Sequence, residues 1–429
     1  MTTDFQLPSR RDLLKLAGMT VAGSMVPLPA AASLNAARVV VVGGGFGGST
    51  CARYLRRLAP QVSVTLVEQS QRIVTCPFSN NVLAGFGDLA AVTHNFDGLR
   101  RDGIKVVQAR AQEIDADRRT VRLDDGVALP FDRLVLSPGI AIKSNSLSGY
   151  DAAAEQSMPH AWKAGPQTLL LRRQLESMDD GGVVVITAPA SPYRCPPAPY
   201  ERASLIANYL SRFKPRSKVL ILDQKDSFSK AGLFREGWNR LYPGMIEWVG
   251  FSMGGNVVAV DAPRMLVITD FEEVAADVAN VVPPQRCGNL AWNSGLANSA
   301  GWCEVNPRTF ESVVAPFVHI VGDSVLAGAM PKSGFSASSQ AKVCARAIVG
   351  LLRDEEPPDP VLINTCYSLL SREYAISVAA VYRVDDTNEI AQVPESGGVS
   401  PANASDDFRK LEAEYARGWY ASITSDMYG

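Results

Sequence analysis

Val39-Val40-Val41-Val42-Gly43-Gly44-Gly45-Phe46-Gly47-Gly48 is the stretch from which the fold is read. Four consecutive β-branched residues suit a strand buried on both faces, as in a parallel sheet. That strand runs straight into G-x-G-x-x-G. Gly43 permits the tight turn, Gly45 and the following Phe46 bring backbone to a pyrophosphate, and Gly48 lets the next helix pack on the strand. Residues 49–58 carry a helical pattern with Arg53, Arg56 and Arg57 on the polar side. A second strand, Val62 to Val67, ends at Glu68, about 20 residues past the last glycine, where a carboxylate accepts hydrogen bonds from ribose hydroxyls. Strand, turn, helix, strand and acid in that order predict a bound dinucleotide.

Two later segments specify which one. Phe131-Asp132-Arg133-Leu134-Val135-Leu136-Ser137-Pro138-Gly139 resembles the Y-D-x-L-V-x-A-T-G signature of flavoproteins with two dinucleotide domains. Val318-His319-Ile320-Val321-Gly322-Asp323 resembles the strand-Gly-Asp signature whose aspartate holds the ribityl chain of FAD. The resemblance implies FAD bound through Ser137, Gly139 and Asp323 as well as the first turn. It also implies a split FAD domain, residues 34–150 and 288–355, around an inserted second domain. Lys332-Ser333-Gly334 precede a helix expected to start near Ser338, and Lys332 and Gly334 are expected at the flavin pyrimidine end, where a helix N-terminus stabilises an anionic reduced flavin.

The insert, 151–287, has the skeleton of a nicotinamide domain: a strand from Val183 to Thr187, a helix from Tyr200 to Phe213, and a strand from Lys218 to Leu222 ending at Asp223. It lacks the glycines. The turn reads Ala188-Pro189-Ala190-Ser191-Pro192-Tyr193-Arg194-Cys195-Pro196-Pro197, and proline rings without N–H groups prevent the backbone approach a pyrophosphate needs. The insert therefore reads as a degenerate NAD-like domain, and electrons must enter or leave by another route. The fold class expected is α/β, with two Rossmann-like dinucleotide-binding domains, one split and one degenerate, and a C-terminal α+β domain over 361–429 beyond Pro357-Pro358-Asp359-Pro360.

The 429 residues are 46% hydrophobic, enough for two or three cored domains, and the formal charge of −2 gives no basic surface for nucleic acid. Ser9-Arg10-Arg11-Asp12-Leu13-Leu14-Lys15, with the mild apolar run Leu16 to Leu28 and Ala30-Ala31-Ala32, resembles a twin-arginine export signal over 1–32. Leu16 to Leu28 is too short and too rich in Gly, Ala and Thr to span a bilayer, so no integral membrane segment is expected in the mature chain. The expected destination is the periplasm, an oxidising compartment in which disulfides persist. Seven cysteines are present, so at least one is unpaired or otherwise bonded. No C-x-x-C pair exists and the three histidines are scattered, so no metal site is expected.

Arg194-Cys195-Pro196-Pro197-Ala198-Pro199-Tyr200-Glu201, Phe228-Ser229-Lys230, Val282-Pro283-Pro284-Gln285 and Asn364-Thr365-Cys366-Tyr367-Ser368 together are similar to the flavoprotein subunit of flavocytochrome c sulfide dehydrogenase, a likeness running from Val39 to Gly429. That resemblance implies a redox disulfide between Cys195 and Cys366 beside the flavin, an active-site glutamate at Glu201, and a thioether from the flavin 8α carbon to Cys76. The residue types suit the chemistry: hydrosulfide is a soft nucleophile, and attack on a disulfide leaves a persulfide on one cysteine and a thiolate on the other. Which of the two is attacked stays open, as does a purely structural bridge closing a loop of about 170 residues. Cys51 and Cys344 read as core residues, and Cys287 with Cys303 as a possible second disulfide.

The resemblance further implies a c-type cytochrome subunit as electron acceptor, with sulfide as substrate. This chain has no C-x-x-C-H, so the haem is not its own. Phe408, Leu411, Tyr415 and Trp419 form a terminal helical stripe that serves either this partner or the chain's own body. Two alternatives remain: a sulfide:quinone oxidoreductase, disfavoured by Asp406, Asp407, Glu412 and Glu414 on that helix, and a non-catalytic flavin-bearing subunit that docks a cytochrome.

Overall fold

A computed structural model describes residues 34–143 and 145–429; the expected export signal over 1–32 lies outside the described residues. The valine run forms the middle strand, Arg38–Val42, of a five-stranded parallel sheet. Its neighbours are Ser63–Glu68 and Arg133–Leu136, with Lys105–Gln108 and Val318–Ile320 outermost. Val39 and Val41 are completely buried, as a sheet covered on both faces requires. The sheet thus draws its last strand from almost 200 residues further along the chain than its fourth.

Both helices expected in this first unit start earlier than the hydrophobic pattern suggested. The helix after the glycine turn spans Phe46–Leu58, because Gly45 is its N-cap and the glycines themselves form the first turn. The helix expected near Ser338 spans Gly334–Leu351, since the Ser333 hydroxyl caps it by accepting from the Ser336 N–H. Gly334 to Ser336 are therefore helix, not a loop before it. The same holds in the insert, where the helix begins at Ala198 behind Pro197.

The insert forms a second parallel sheet in the order Ile246–Val249, Lys218–Asp223, Val183–Ala188, Val278–Asn280. After Pro360 the chain makes a long antiparallel hairpin, Val361–Ser371 with Tyr374–Val384, followed by the helix Asp406–Tyr428. This α+β unit folds back on the first: the Tyr428 hydroxyl donates to the Gly44 carbonyl at 3.0 Å, and Asp426 pairs with Arg57 and Lys342. The terminal stripe divides. Phe408, Leu411 and Tyr415 are exposed, whereas the face buried on the chain's own body is Ala413, Ala416, Ile423 and Met427 around the Arg409–Glu412 ion pair. Among the described residues no helix is long and apolar enough to cross a membrane.

Candidate functional site

Where the two parallel-sheet units meet the C-terminal hairpin lies one large cavity, and most of the expected site residues wall it. The glycine turn contributes Gly45, Phe46 and Gly47, and the strand-end loop contributes Ser137 and Gly139. Gly43 has φ +102°, and a Cβ there would sit 2.4 Å from the Ser137 carbonyl; at Gly48 it would sit 1.8 Å from the Gly43 carbonyl. The turn can be built only from glycine at these two positions. At Gly45, by contrast, nothing lies within 4 Å of the Cβ position, leaving backbone open to a ligand. Glu68 sits at the turn but not in the cavity wall, its carboxylate accepting from the N–H groups of Gly44 at 2.8 Å and Ser70 at 2.9 Å.

Across the cavity, Asp323 is partly buried, and one of its carboxylate oxygens, Oδ1, is enclosed without a hydrogen-bond partner. Burial pushes its acidity toward the neutral form, with Arg194 Nη1 3.8 Å from Oδ2 opposing this. A buried acceptor without a donor is costly unless a ligand hydroxyl completes it. The open Gly45 backbone and this orphaned oxygen, at two places in one cavity, fit the FAD expected from the sequence. Gly334 also joins the wall, its Cα packed against the Phe46 ring. Lys332 does not. Its ammonium donates to the Val325 carbonyl and lies 3.8 Å from the centre of the Trp302 ring, and burial lowers its pKa to about 8. Its contribution to the site is the backbone carbonyl, which accepts from the Cys195 N–H at 2.7 Å.

Cys76, Cys195 and Cys366 all line this cavity. The seven cysteines stand unbonded in the structure, and Cys195 and Cys366 share one wall. Cys195 holds a left-handed backbone, φ +56°, at the end of the proline-rich turn, tied by its N–H to Lys332 and by its carbonyl to the Ala198 N–H. Burial pushes its thiol well up, and the nearby Cys366 and Glu201 add to this. Cys76 lies in a loop pinned by Ser79 Oγ on its carbonyl at 2.7 Å, with its sulfur 3.6 Å from the Trp162 carbonyl. The other four thiols pair by contact. Cys287 lies against Cys303 and Cys51 against Cys344, each pair buried.

Glu201 projects from the first turn of helix Ala198–Phe213 into the same wall. Burial raises its pKa to about 7, against the pull of Asn80, Lys230, Arg202 and Ser368. A carboxyl poised near neutrality beside two cysteines can take and return a proton. Sequence reading missed the scaffold around it. Arg202, one residue on, is wholly enclosed and donates to Asn80 Oδ1 at 3.0 Å, the carbonyls of His160 at 2.9 Å and Ala161 at 2.8 Å, and Asn280 Oδ1 at 2.8 Å. Asn80 then donates to Glu201 Oε1 at 3.3 Å. Trp162, over which Arg202 lies, and Trp419 also face the cavity and were not identified as wall residues. Only an Arg-Ala run inside a helix marked Arg202, and such residues are usually surface.

The second parallel sheet carries an acid at the corresponding strand end, and it is enclosed. Asp223, the acid that ends its second strand, is 0% exposed. The Tyr200 hydroxyl donates to it at 2.5 Å, Trp248 Nε1 at 2.9 Å and Lys225 Nζ at 2.5 Å. Tyr200 stacks on Phe228 with ring centres 3.7 Å apart. The ribose-binding position is filled by the protein's own side chains. Among the described residues no group of metal-ligating side chains occurs.

Comparison with known proteins agrees with this geometry. The family model described as "Sulfide dehydrogenase [flavocytochrome c] flavoprotein chain, central" matches residues 168–283, "Flavocytochrome c sulphide dehydrogenase, flavin-binding" matches 358–428, and "Pyridine nucleotide-disulphide oxidoreductase" matches 37–174. The sulfide dehydrogenase [flavocytochrome c] flavoprotein chain of Chlorobaculum thiosulfatiphilum is 69% identical over 45 residues, 10% of this chain and 94% of that sequence. The mitochondrial sulfide:quinone oxidoreductase of Mus musculus is 22% identical over 345 residues, covering 75% of this chain and 73% of the relative. The structure of the sulfide:quinone oxidoreductase of Aquifex aeolicus superposes with a TM-score of 0.72 at 20% identity, covering 92% of each chain, and this shows the shared fold.

Proposed function

The chain belongs to the family of flavocytochrome c sulfide dehydrogenase flavoprotein chains, and from that premise we propose that it oxidises sulfide at a Cys195–Cys366 disulfide and delivers the electrons to a c-type cytochrome. Its class is already established: an FAD-dependent sulfide oxidoreductase. The observation that carries the finer reading is the convergence of Cys195, Cys366 and Glu201 on the cavity that also holds the open Gly45 backbone and the orphaned Asp323 oxygen.

FAD, when bound there, supplies a two-electron acceptor that can pass electrons on singly. The protein's own part is sulfur and proton handling. Hydrosulfide forms a bond to one cysteine sulfur as the S–S bond breaks, and the second sulfur leaves with the electron pair as thiolate. Glu201 receives the proton that the new persulfide sheds after the S–S bond has broken, and the wall of Trp162, Phe78 and Trp419 keeps bulk water from the thiolate. Cys76, free and facing the cavity, is assigned the covalent flavin linkage.

The filled ribose position at Asp223 supports an acceptor other than a nicotinamide. The exposed Phe408, Leu411 and Tyr415 lie on the same helix as Ala416 and Trp419 of the cavity wall, which supports docking of a partner there, close to the flavin. A haem protein is the partner assigned, and the resemblance of residues 1–32 to an export signal supports a periplasmic location. Sulfide added to the purified holoprotein is expected to bleach the visible flavin absorption, and absence of bleaching refutes the catalytic reading. Co-purification with a haem protein supports the cytochrome; reoxidation by quinone analogues in preference to cytochrome c favours a quinone acceptor.

A further inference from the structure

The strand Val361–Ser371 turns Asn364, Cys366 and Ser368 to one face, because alternate residues of a strand share a side. Each meets a partner. The Asn364 amide oxygen accepts from the hydroxyls of Ser333 at 2.6 Å and Ser336 at 3.1 Å, both in the first turn of helix Gly334–Leu351. Ser333 Oγ already accepts the Ser336 N–H, so its own proton is free to be donated to Asn364. Asn364 also meets Cys366: its NH2 group lies 3.5 Å from Cys366 Sγ, and the protonated thiol can donate back to Asn364 Oδ1 at 3.6 Å, so only the NH2 contact remains as a hydrogen bond once the sulfur is a thiolate. All three of these polar residues are buried.

On the other side, Lys230 ends a left-handed turn at φ +64° and sends a buried ammonium to the Cys366 carbonyl at 3.0 Å and Ser368 Oγ at 2.9 Å. Cys366 thus has an N–H donor on its sulfur and a cation held against its backbone. Cys195 has neither a donor on its sulfur nor a lysine hydrogen-bonded to it; its charged neighbours are Arg194, Glu201, Asp323 and Arg202, and Lys230 acts on it less than on Cys366. Around Cys366 the remaining titratable groups are Cys195, Tyr382 and, through Lys230, Glu201 and Glu412.

We infer that Asn364 and Lys230 are positioning residues that make Cys366 the leaving thiolate, so that the incoming sulfur is placed on Cys195. This rests on the reading of the two cysteines as the redox pair. Sulfur from hydrosulfide bonds to Cys195 Sγ, the Cys195–Cys366 bond breaks, and its electron pair goes to Cys366 Sγ, where the amide N–H and the ammonium meet the new charge; the hydrosulfide proton stays on the terminal sulfur. No other oxidant or reductant takes part in this step. Hydrogen bonds to the charged form and a nearby cation both favour a thiolate.

The test uses holoprotein carrying either Cys195→Ser or Cys366→Ser, alkylated with iodoacetamide at neutral pH and read site by site by mass spectrometry. Cys366 in the first variant is expected to react at least about tenfold faster than Cys195 in the second. Adding Asn364→Ala, or Lys230→Gln as an independent second change, slows Cys366 by about tenfold and leaves Cys195 in its own background unchanged. A general loosening of the site would move both cysteines together, which overturns the inference, as does equal or faster reaction at Cys195. In the wild type exposed to sulfide, the extra sulfur is expected on the Cys195 peptide; finding it on Cys366 also overturns the inference. If the wild-type flavin is not bleached by sulfide while the alkylation order holds, the proposed function falls and the polarity of the pair stands.

Discussion

Replacing Glu201 by glutamine is expected to make the protein more stable and the enzyme slower, with the gain in stability growing from about pH 4.5 to about pH 7. Burial lifts the Glu201 pKa from 4.5 to about 7, so the folded protein holds this proton more tightly than the unfolded chain does. The cost of ionising it is absent below about pH 4.5, grows as the pH rises toward 7 and is constant above. Converted at 1.36 kcal/mol per pH unit, the shift is worth at most about 3 kcal/mol, and the part of the side chain facing the cavity brings the expected value nearer about 2 kcal/mol. Glutamine keeps the shape and the contact with Asn80 without the charge. Denaturation of the holoprotein followed by tryptophan fluorescence should therefore show wild type and Glu201→Gln together near pH 4.5 and the variant ahead at pH 8. Flavin reduction by sulfide in the variant should fall by about 100-fold or more if the carboxylate carries the proton. A stability difference that does not change with pH, or a wild type that is the more stable above pH 7, refutes the reasoning.

Three further outcomes follow from the geometry. Gly48→Ala places a Cβ within 1.8 Å of the Gly43 carbonyl, so the flavin-to-protein ratio after purification should drop to a small fraction of wild type, and a normal ratio would show that the turn tolerates a side chain. Cys76→Ser should release its flavin into the supernatant on acid precipitation while wild type retains it; flavin freed from both removes the thioether. Arg202→Met strips donors from four buried acceptors and is expected to lower the unfolding free energy by about 3–5 kcal/mol, with a loss below about 1 kcal/mol in urea denaturation counting against the network.

The parts of the fold that were legible in the sequence are those whose chemistry is local. A run of valines followed by glycines at set spacing admits one backbone path, and the missing glycines after Ile186 were equally readable. Helix starts were misplaced for a related reason. Hydrophobic periodicity begins only where side chains are large, whereas the helices begin at Phe46, Ala198 and Gly334 among small residues and prolines. Resemblance supplied Cys195, Cys366 and Glu201. It did not supply Arg202, Asn80 or Asn364, because each acts through partners more than 20 residues away that no periodicity links. Lys332 shows the converse: it precedes the helix Gly334–Leu351, but its side chain turns to Trp302, whose approach only the folded chain reveals.

The sealed carboxylate at Asp223 bears on how such a protein can change. Restoring a glycine-rich turn in place of the prolines would not by itself free this carboxylate, because Tyr200 stacks on Phe228 beside it and Trp248 lies tilted against Phe228, and opening it would disturb the start of the helix that carries Glu201. The branch taken by this chain is in that sense one-way. Engineering a different electron acceptor into such a protein has to start from the outer surface.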